Sequence, residues 1–159
     1  MKNVKVFVAS SAELKSERME LVDLMQDLND ELETKGVKFK PVLWEYMDSS
    51  MRAGRKEDEY LVKLRECEIC IVLFWRTLGE YTVEELDVAM AEMQAGRLPK
   101  KVFVLFKEPA DDISEELASF KKDIIDNKSL YPISYNSIQL LRKHVEAFLK
   151  EFVLVHTVK

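Results

Sequence analysis

Short runs of β-branched and aromatic residues alternate along this chain with longer stretches in which apolar residues recur every three or four positions. Val4-Lys5-Val6-Phe7-Val8-Ala9 reads as a first strand. Ser10-Ser11 then leads into a helix from Glu13 to Leu32, with Leu14, Leu21, Met25, Leu28 and Leu32 on one stripe. Gly36 stops that element as a C-cap residue does. A second strand is expected over Val37 to Trp44, and Pro41 within it points to a sheet edge, since proline cannot donate to a ladder. A polar loop, Asp48 to Arg55, precedes a helix from Lys56 to Cys67. Ile69 to Trp75 is almost continuously apolar, the pattern of a central strand covered on both faces. The loop Arg76 to Tyr81 opens a helix from Thr82 to Ala95, stopped by Gly96. Then follow a strand from Lys101 to Phe106, a weaker helix from Ile113 to Ile125, a strand from Leu130 to Ser134 and a last helix from Ser137 to Val153.

Five strands strictly alternating with five helices predict βαβ units and a parallel sheet. The simplest topology is α/β and flavodoxin-like, a doubly wound five-stranded sheet of order 2-1-3-4-5. The 159 residues make one domain, and because the last helix stays amphipathic close to the final residue, excision from a longer multidomain protein stays open. With 47% hydrophobic and 33% charged residues the composition is that of a globular protein and excludes disorder. A net charge of −5 argues against nucleic-acid binding. No apolar run approaches a membrane span and no signal-peptide core follows Met1, so a cytoplasmic location is expected.

Several chemistries are struck out by what is missing. The four glycines, Gly36, Gly54, Gly79 and Gly96, form neither a dinucleotide fingerprint nor a P-loop. A phosphoacceptor site needs an acidic pair after the first strand and an aspartate ending the third, but these strands end in Ser10-Ser11 and Phe74-Trp75. Cys67 and Cys70 form a C-x-x-C that closes a helix and enters a strand, the wrong direction for a redox pair. With His144 and His156 far away no zinc set is complete, so both cysteines read as structural and no metal is expected.

In an open α/β sheet, ligands sit outside the carboxyl ends of the strands at the switch point. For this order the crevice lies between the first and third strands, where Ser10, Ser11 and the segment from Trp75 to Glu85 converge, with Trp44-Glu45-Tyr46 one strand further out. Thr82 and Glu85 have the spacing of a capping box. Yet Glu84, Glu85 and Asp87 exceed what a cap needs, and an aromatic-rich loop precedes them. A carboxylate flanked by aromatics can hold sugar hydroxyls and stabilise an oxocarbenium-like transition state. Both readings of Glu85 stay open from spacing alone. Arg18 shares the face of Leu14, Leu21 and Met25, where an unpaired charge is costly, so a buried pair with an acid such as Glu45 is expected. Asp58, Glu59 and Tyr60 read as the opening of the second helix and Asp87 as a solvated position. Met90 and Met93 read as core, and Lys100-Lys101 and Lys121-Lys122 as exposed charge pairs.

Val6-Phe7-Val8-Ala9-Ser10-Ser11, with Glu13-Leu14 and Glu17-Arg18, resembles the opening of bacterial TIR-like domains (Toll/interleukin-1 receptor homology). Tyr81-Thr82-Val83-Glu84-Glu85-Leu86, followed by Ala89, stands where that family carries W-C-x-x-E-L, with tyrosine replacing the tryptophan and threonine the cysteine. Trp44-Glu45-Tyr46 and Arg55-Lys56-x-Asp58-Glu59-Tyr60 resemble the subgroup found in bacterial defence proteins. The likeness spans Val4 to Phe106 and is only architectural beyond. It implies hydrolysis of the nicotinamide–ribose bond of NAD+ without a cofactor, in antiviral defence or signalling. Glu85 would be catalytic, with Glu84 as the alternative. Ser10 and Ser11 would line the ribose and phosphate side, Trp44 or Trp75 would stack on a ring, and Arg52 and Arg55 would meet diphosphate. Glu45 and Tyr81 complete the implied substrate contacts. The loop from 48 to 55 would serve self-association, and a sensor domain or partner protein would trigger activity. Two other functions stay open: a catalytically silent adaptor that signals by assembly, and a nucleoside 2-deoxyribosyltransferase-like enzyme.

Overall fold

The computed structural model describes residues 2–43, 56–76, 80–108, 115–127 and 132–156. The strands are β1 (Lys2–Ser10), β2 (Val37–Val42), β3 (Ile69–Phe74), β4 (Lys101–Lys107) and β5 (Ile133–Tyr135). The α-helices are α1 (Lys15–Leu32), α2 (Lys56–Leu64), α3 (Glu80–Gln94), α4 (Glu115–Asn127) and α5 (Ile138–His156). All strand pairs are parallel and the order is β2-β1-β3-β4-β5, the flavodoxin-like topology that the alternation predicts. β3 stands in the middle and every one of its residues is buried. β2 is an edge strand, with Pro41 in register with Val6.

The sheet separates two apolar layers. Val4, Val6 and Val8 of β1 with Ile69, Ile71 and Leu73 of β3 face α1 and α5. Phe7 and Ala9 with Cys70, Val72 and Phe74 face α2, α3 and α4. This is the period-two alternation of a strand read twice, once for each face. Leu21, Leu24, Met25, Leu28 and Leu32 bury the α1 stripe. Each such side chain contributes about 1.5–3 kcal/mol. The ion pairs between α1 and α5, Arg142 with Glu20 at 3.2 Å and with Asp27 at 3.0 Å, lie at the surface. Pairs of that kind contribute about 0–1 kcal/mol each, so the apolar stripe decides how α5 docks. Asn29 fixes α1 to β2 by accepting from the Phe39 N–H at 2.7 Å and donating to its carbonyl at 3.0 Å.

Several boundaries differ from the sequence expectation. β2 ends at Val42, and Trp44 lies outside the described residues. The second helix ends at Leu64, short of the buried Cys67. β5 is Ile133–Tyr135, one residue beyond the expected Ser134, and Tyr135 pairs with Lys107, while Leu130 and Tyr131 lie outside the described residues. α4 and α5 each run further than their apolar stripes, to Asn127 and His156. Among the described residues, no helix is long and apolar enough to cross a membrane.

After α1 a turn of 3₁₀-helix, Glu33–Lys35, ends at Gly36 with φ of 71°, whose N–H donates to the Glu33 carbonyl. A Cβ at Gly36 would meet nothing within 4 Å, so substitution there perturbs only the backbone. Gly36→Ala is therefore expected to lower stability by about 1 kcal/mol, the left-handed penalty of an L-residue. The measurement is a reduced urea midpoint with an unchanged denaturant slope.

Candidate functional site

Ser10 closes β1 beside Leu73 of β3, at the carboxyl edge of the sheet. Its hydroxyl donates to the Ser11 carbonyl at 3.2 Å and accepts from the guanidinium of Arg18. Arg18 also donates to the Ser11 carbonyl at 2.7 Å. Arg18 is fully buried, as its place on the apolar stripe requires, so its charge must be met by polar atoms inside the fold. Ser10 and the backbone of Ser11 supply two of those contacts, while Glu45, the acid expected opposite it, lies outside the described residues. The Ser11 hydroxyl donates to Glu13.

The neighbouring residue in α1, Glu17, is also buried. Its carboxylate pairs with the Lys107 ammonium at 2.8 Å and accepts from the Tyr135 hydroxyl at 3.4 Å and from Ser16 at 3.0 Å. Burial and the Glu17 carboxylate hold the Tyr135 phenol protonated far above its ordinary range. Lys107 lies 4.1 Å from the centre of the Trp75 ring, and the Arg76 guanidinium lies 4.0 Å from it. The sequence reading missed Glu17, Lys107 and Tyr135. One local sign existed: Glu17 adjoins Arg18 at the start of an apolar stripe. Lys107 and Tyr135 lie 90 and more residues away from it, where spacing carries no information.

Glu85 sits on the other face of the sheet. Thr82, Glu85, Leu86, Ala89 and Met90 form the buried stripe of α3 against β1, β3 and β4. Glu85 is 8% exposed. The capping-box reading does not hold, because α3 begins at Glu80 and so carries Thr82 inside its first turn, where it is buried. Tyr81 lies in the same first turn. Glu84 is half-buried and Asp87 exposed. Met90 is core and Met93 packs against it, as expected. Glu85 and the Ser10–Arg18 contact thus approach the carboxyl edge of the sheet from opposite faces. Trp44, Glu45, Arg55 and the loop from 48 to 55 lie outside the described residues.

Both cysteines are buried free thiols. The Cys67 thiol donates to the Lys63 carbonyl at 3.2 Å, and burial pushes its pKa from 9.0 up to about 12. The Cys70 thiol is raised too, first by burial and then by the carboxylate of Glu85. Among the described residues, no group of three His, Cys, Asp or Glu side chains is placed to hold a metal ion. Lys100 and Lys101 are exposed, as expected, but Lys121 is half-buried and pairs with Glu108 at 3.3 Å, which leaves only Lys122 of that pair fully solvated.

No family model matches this sequence, and no curated protein matches it. Solved structures do share its fold. The CMP N-glycosidase BcmB of Clostridium botulinum is 19% identical over 91% of this chain and 98% of its own, with a TM-score of 0.51. The RPS4 and RRS1 TIR domain heterodimer is 12% identical over 94% of this chain and 97% of its own, with a TM-score of 0.50. At these identities the likeness is one of fold.

Two outcomes follow from the buried polar groups. Neither thiol is expected to react with a disulfide reagent at pH 8 in the native protein, and both react once it is unfolded. Because folded Cys67 holds its proton more tightly than the unfolded chain, its contribution to stability is complete below pH 9 and is lost as pH rises from 9 to about 12. Lys107→Met leaves Glu17 buried without its ammonium, and is expected to cost about 3 kcal/mol in urea unfolding. Glu17→Leu combined with Lys107→Met should recover most of that loss.

Proposed function

We propose that this protein cleaves an N-glycosidic bond at the anomeric carbon of a nucleotide, with NAD+ as the substrate and nicotinamide as the leaving group. What supports the reading is Glu85, a carboxylate only 8% exposed on the buried stripe of the helix that follows the third strand. A fold shared with a CMP N-glycosidase and with TIR domains agrees with chemistry at an anomeric carbon.

The bond from C1′ to the pyridinium nitrogen breaks with its electron pair going to nitrogen, so nicotinamide leaves neutral and the ribose becomes an oxocarbenium ion. Glu85 holds the ribose hydroxyls and stabilises that developing positive charge. Water then adds to C1′ and gives up a proton, yielding ADP-ribose. Ser11 and Tyr81 line the sugar side in this reading, and Ser10 shapes it through Arg18. Trp44, Glu45 and Arg55 complete the contacts to the dinucleotide. Self-association through the loop from 48 to 55, prompted by a sensor domain or partner in the cytoplasm, brings the site to its working form.

The experiment is nicotinamide release from NAD+, followed by chromatography at high protein concentration with a crowding agent. Glu85→Ala is expected to lower the rate by about 10²–10³-fold, the usual cost of one electrostatic stabiliser. Glu84→Ala should retain most of it. Release unchanged in Glu85→Ala would overturn the assignment. No release by the unaltered protein, with assembly intact, would favour the silent adaptor, and base exchange on deoxynucleosides would favour the transferase.

A further inference from the structure

At the carboxyl ends of β3 and β4, on the face that α4 covers, the fold leaves a pocket of about 310 Å3. Ser10, Ser11 and Glu85 do not line it, so it stands beside the crevice between β1 and β3 rather than in it. Its wall is apolar, made by Trp75, Phe106, Leu117 and Ile125. Phe106 and Leu117 are buried, whereas Ile125 is 44% exposed at a wall of the pocket, one of few large apolar side chains open to water among the described residues. Small-molecule pockets run from about 300 to 1,000 Å3, so this one fits a single ring system and not a dinucleotide.

Its charges are arranged on the rings. Lys107 stands 4.1 Å from the centre of the Trp75 ring and Lys121 stands 4.9 Å from that of Phe106. Each of these ammoniums already has one carboxylate, Glu17 at 2.8 Å and Glu108 at 3.3 Å. Lys122, next along α4, also lines the pocket and is exposed, and it has no ion-pair partner among the described residues. Asp126, one turn further and exposed, is the other acid of the lining and forms no ion pair there. Three ammoniums, Lys107, Lys121 and Lys122, stand against two carboxylates, Glu108 and Asp126, in the lining, so an anionic ring is favoured over a cationic one. A flat aromatic anion satisfies both the ring surfaces and the spare charge.

We propose that this pocket binds a small planar aromatic monoanion of the carboxylate class, its ring against Trp75 and Phe106 and its carboxylate toward Lys122. The site is separate from Glu85 and does not rest on the glycosidic reading.

The test uses 2-naphthoate, with 2-naphthylmethanol and 2-naphthylmethylammonium as its neutral and cationic counterparts. Binding is followed through the Trp75 indole N–H resonance of the isotope-labelled protein, assigned with Trp75→Phe. Naphthoate is expected to shift that resonance and to bind about fivefold more tightly than the alcohol, the scale of one partly solvated ion pair. Lys122→Gln should erase that preference without unfolding anything, since the residue is exposed. Ala118→Phe, which enters the pocket from α4, should weaken naphthoate by about tenfold or more. Glu85→Ala should leave naphthoate binding unchanged, whatever it does to nicotinamide release. An unmoved Trp75 resonance at millimolar naphthoate, equal binding of the three compounds, or binding indifferent to Ala118→Phe would each overturn the proposal.

Discussion

The first turns of α1 bury two adjacent side chains of opposite charge, and the upper edge of the sheet is organised around them. A buried ion costs several kcal/mol unless polar groups close on it. Arg18 and Glu17 are successive residues, so they leave the helix about 100° apart and do not share a partner. Arg18 turns to the end of β1, where Ser10 and the Ser11 carbonyl receive it. Glu17 turns to the ends of β4 and β5, where Lys107 and Tyr135 receive it. β1 and β4 are separated by β3, about two strand spacings or 10 Å. One helical turn therefore bridges the middle of the sheet and ties three of its five strands together at the end where α/β folds place their ligands.

The other face carries a different burden. There α3 buries Glu85 within an apolar stripe, above a strand whose Cys70 thiol stays protonated partly because that carboxylate is near. The charges on the α1 face are matched to strand ends and hold the backbone in place. Glu85 shares the buried stripe of α3 with Thr82, Leu86, Ala89 and Met90. The sheet thus keeps Glu17 and Arg18 on one side and Glu85 on the other.

Topology was legible in the sequence because it rests on local periodicity. The unbroken apolar run from Ile69 announced the central strand, Pro41 announced the edge, and the order of Cys67 and Cys70 relative to the apolar run excluded a redox pair. Arg18 was legible as a buried charge from its stripe. The partners of that charge were not, nor was the Glu17–Lys107–Tyr135 cluster, since contacts between α1 and the last two strands exist only once the sheet is closed. Thr82 misled for a related reason. A threonine three residues before a glutamate looks like a cap, but the helix takes in Glu80 and Tyr81 first, and the threonine goes inward. The pocket under α4 was equally hidden, because Lys121 and Lys122 look alike in sequence and only the fold sets one over a phenylalanine ring and leaves the other in water.

Both margins of the sheet are poor templates for a further strand. On one side β2 alternates outward lysines, Lys38 and Lys40, with a proline that has no N–H to offer. On the other, β5 offers three residues among those described. Edges of this kind are how natural sheets resist pairing with strangers and growing into fibrils. A filament or dimer of this protein is thereby steered away from adding strand to strand, and its contacts fall to helices and loops, which can be formed and released without rebuilding a hydrogen-bonded ladder.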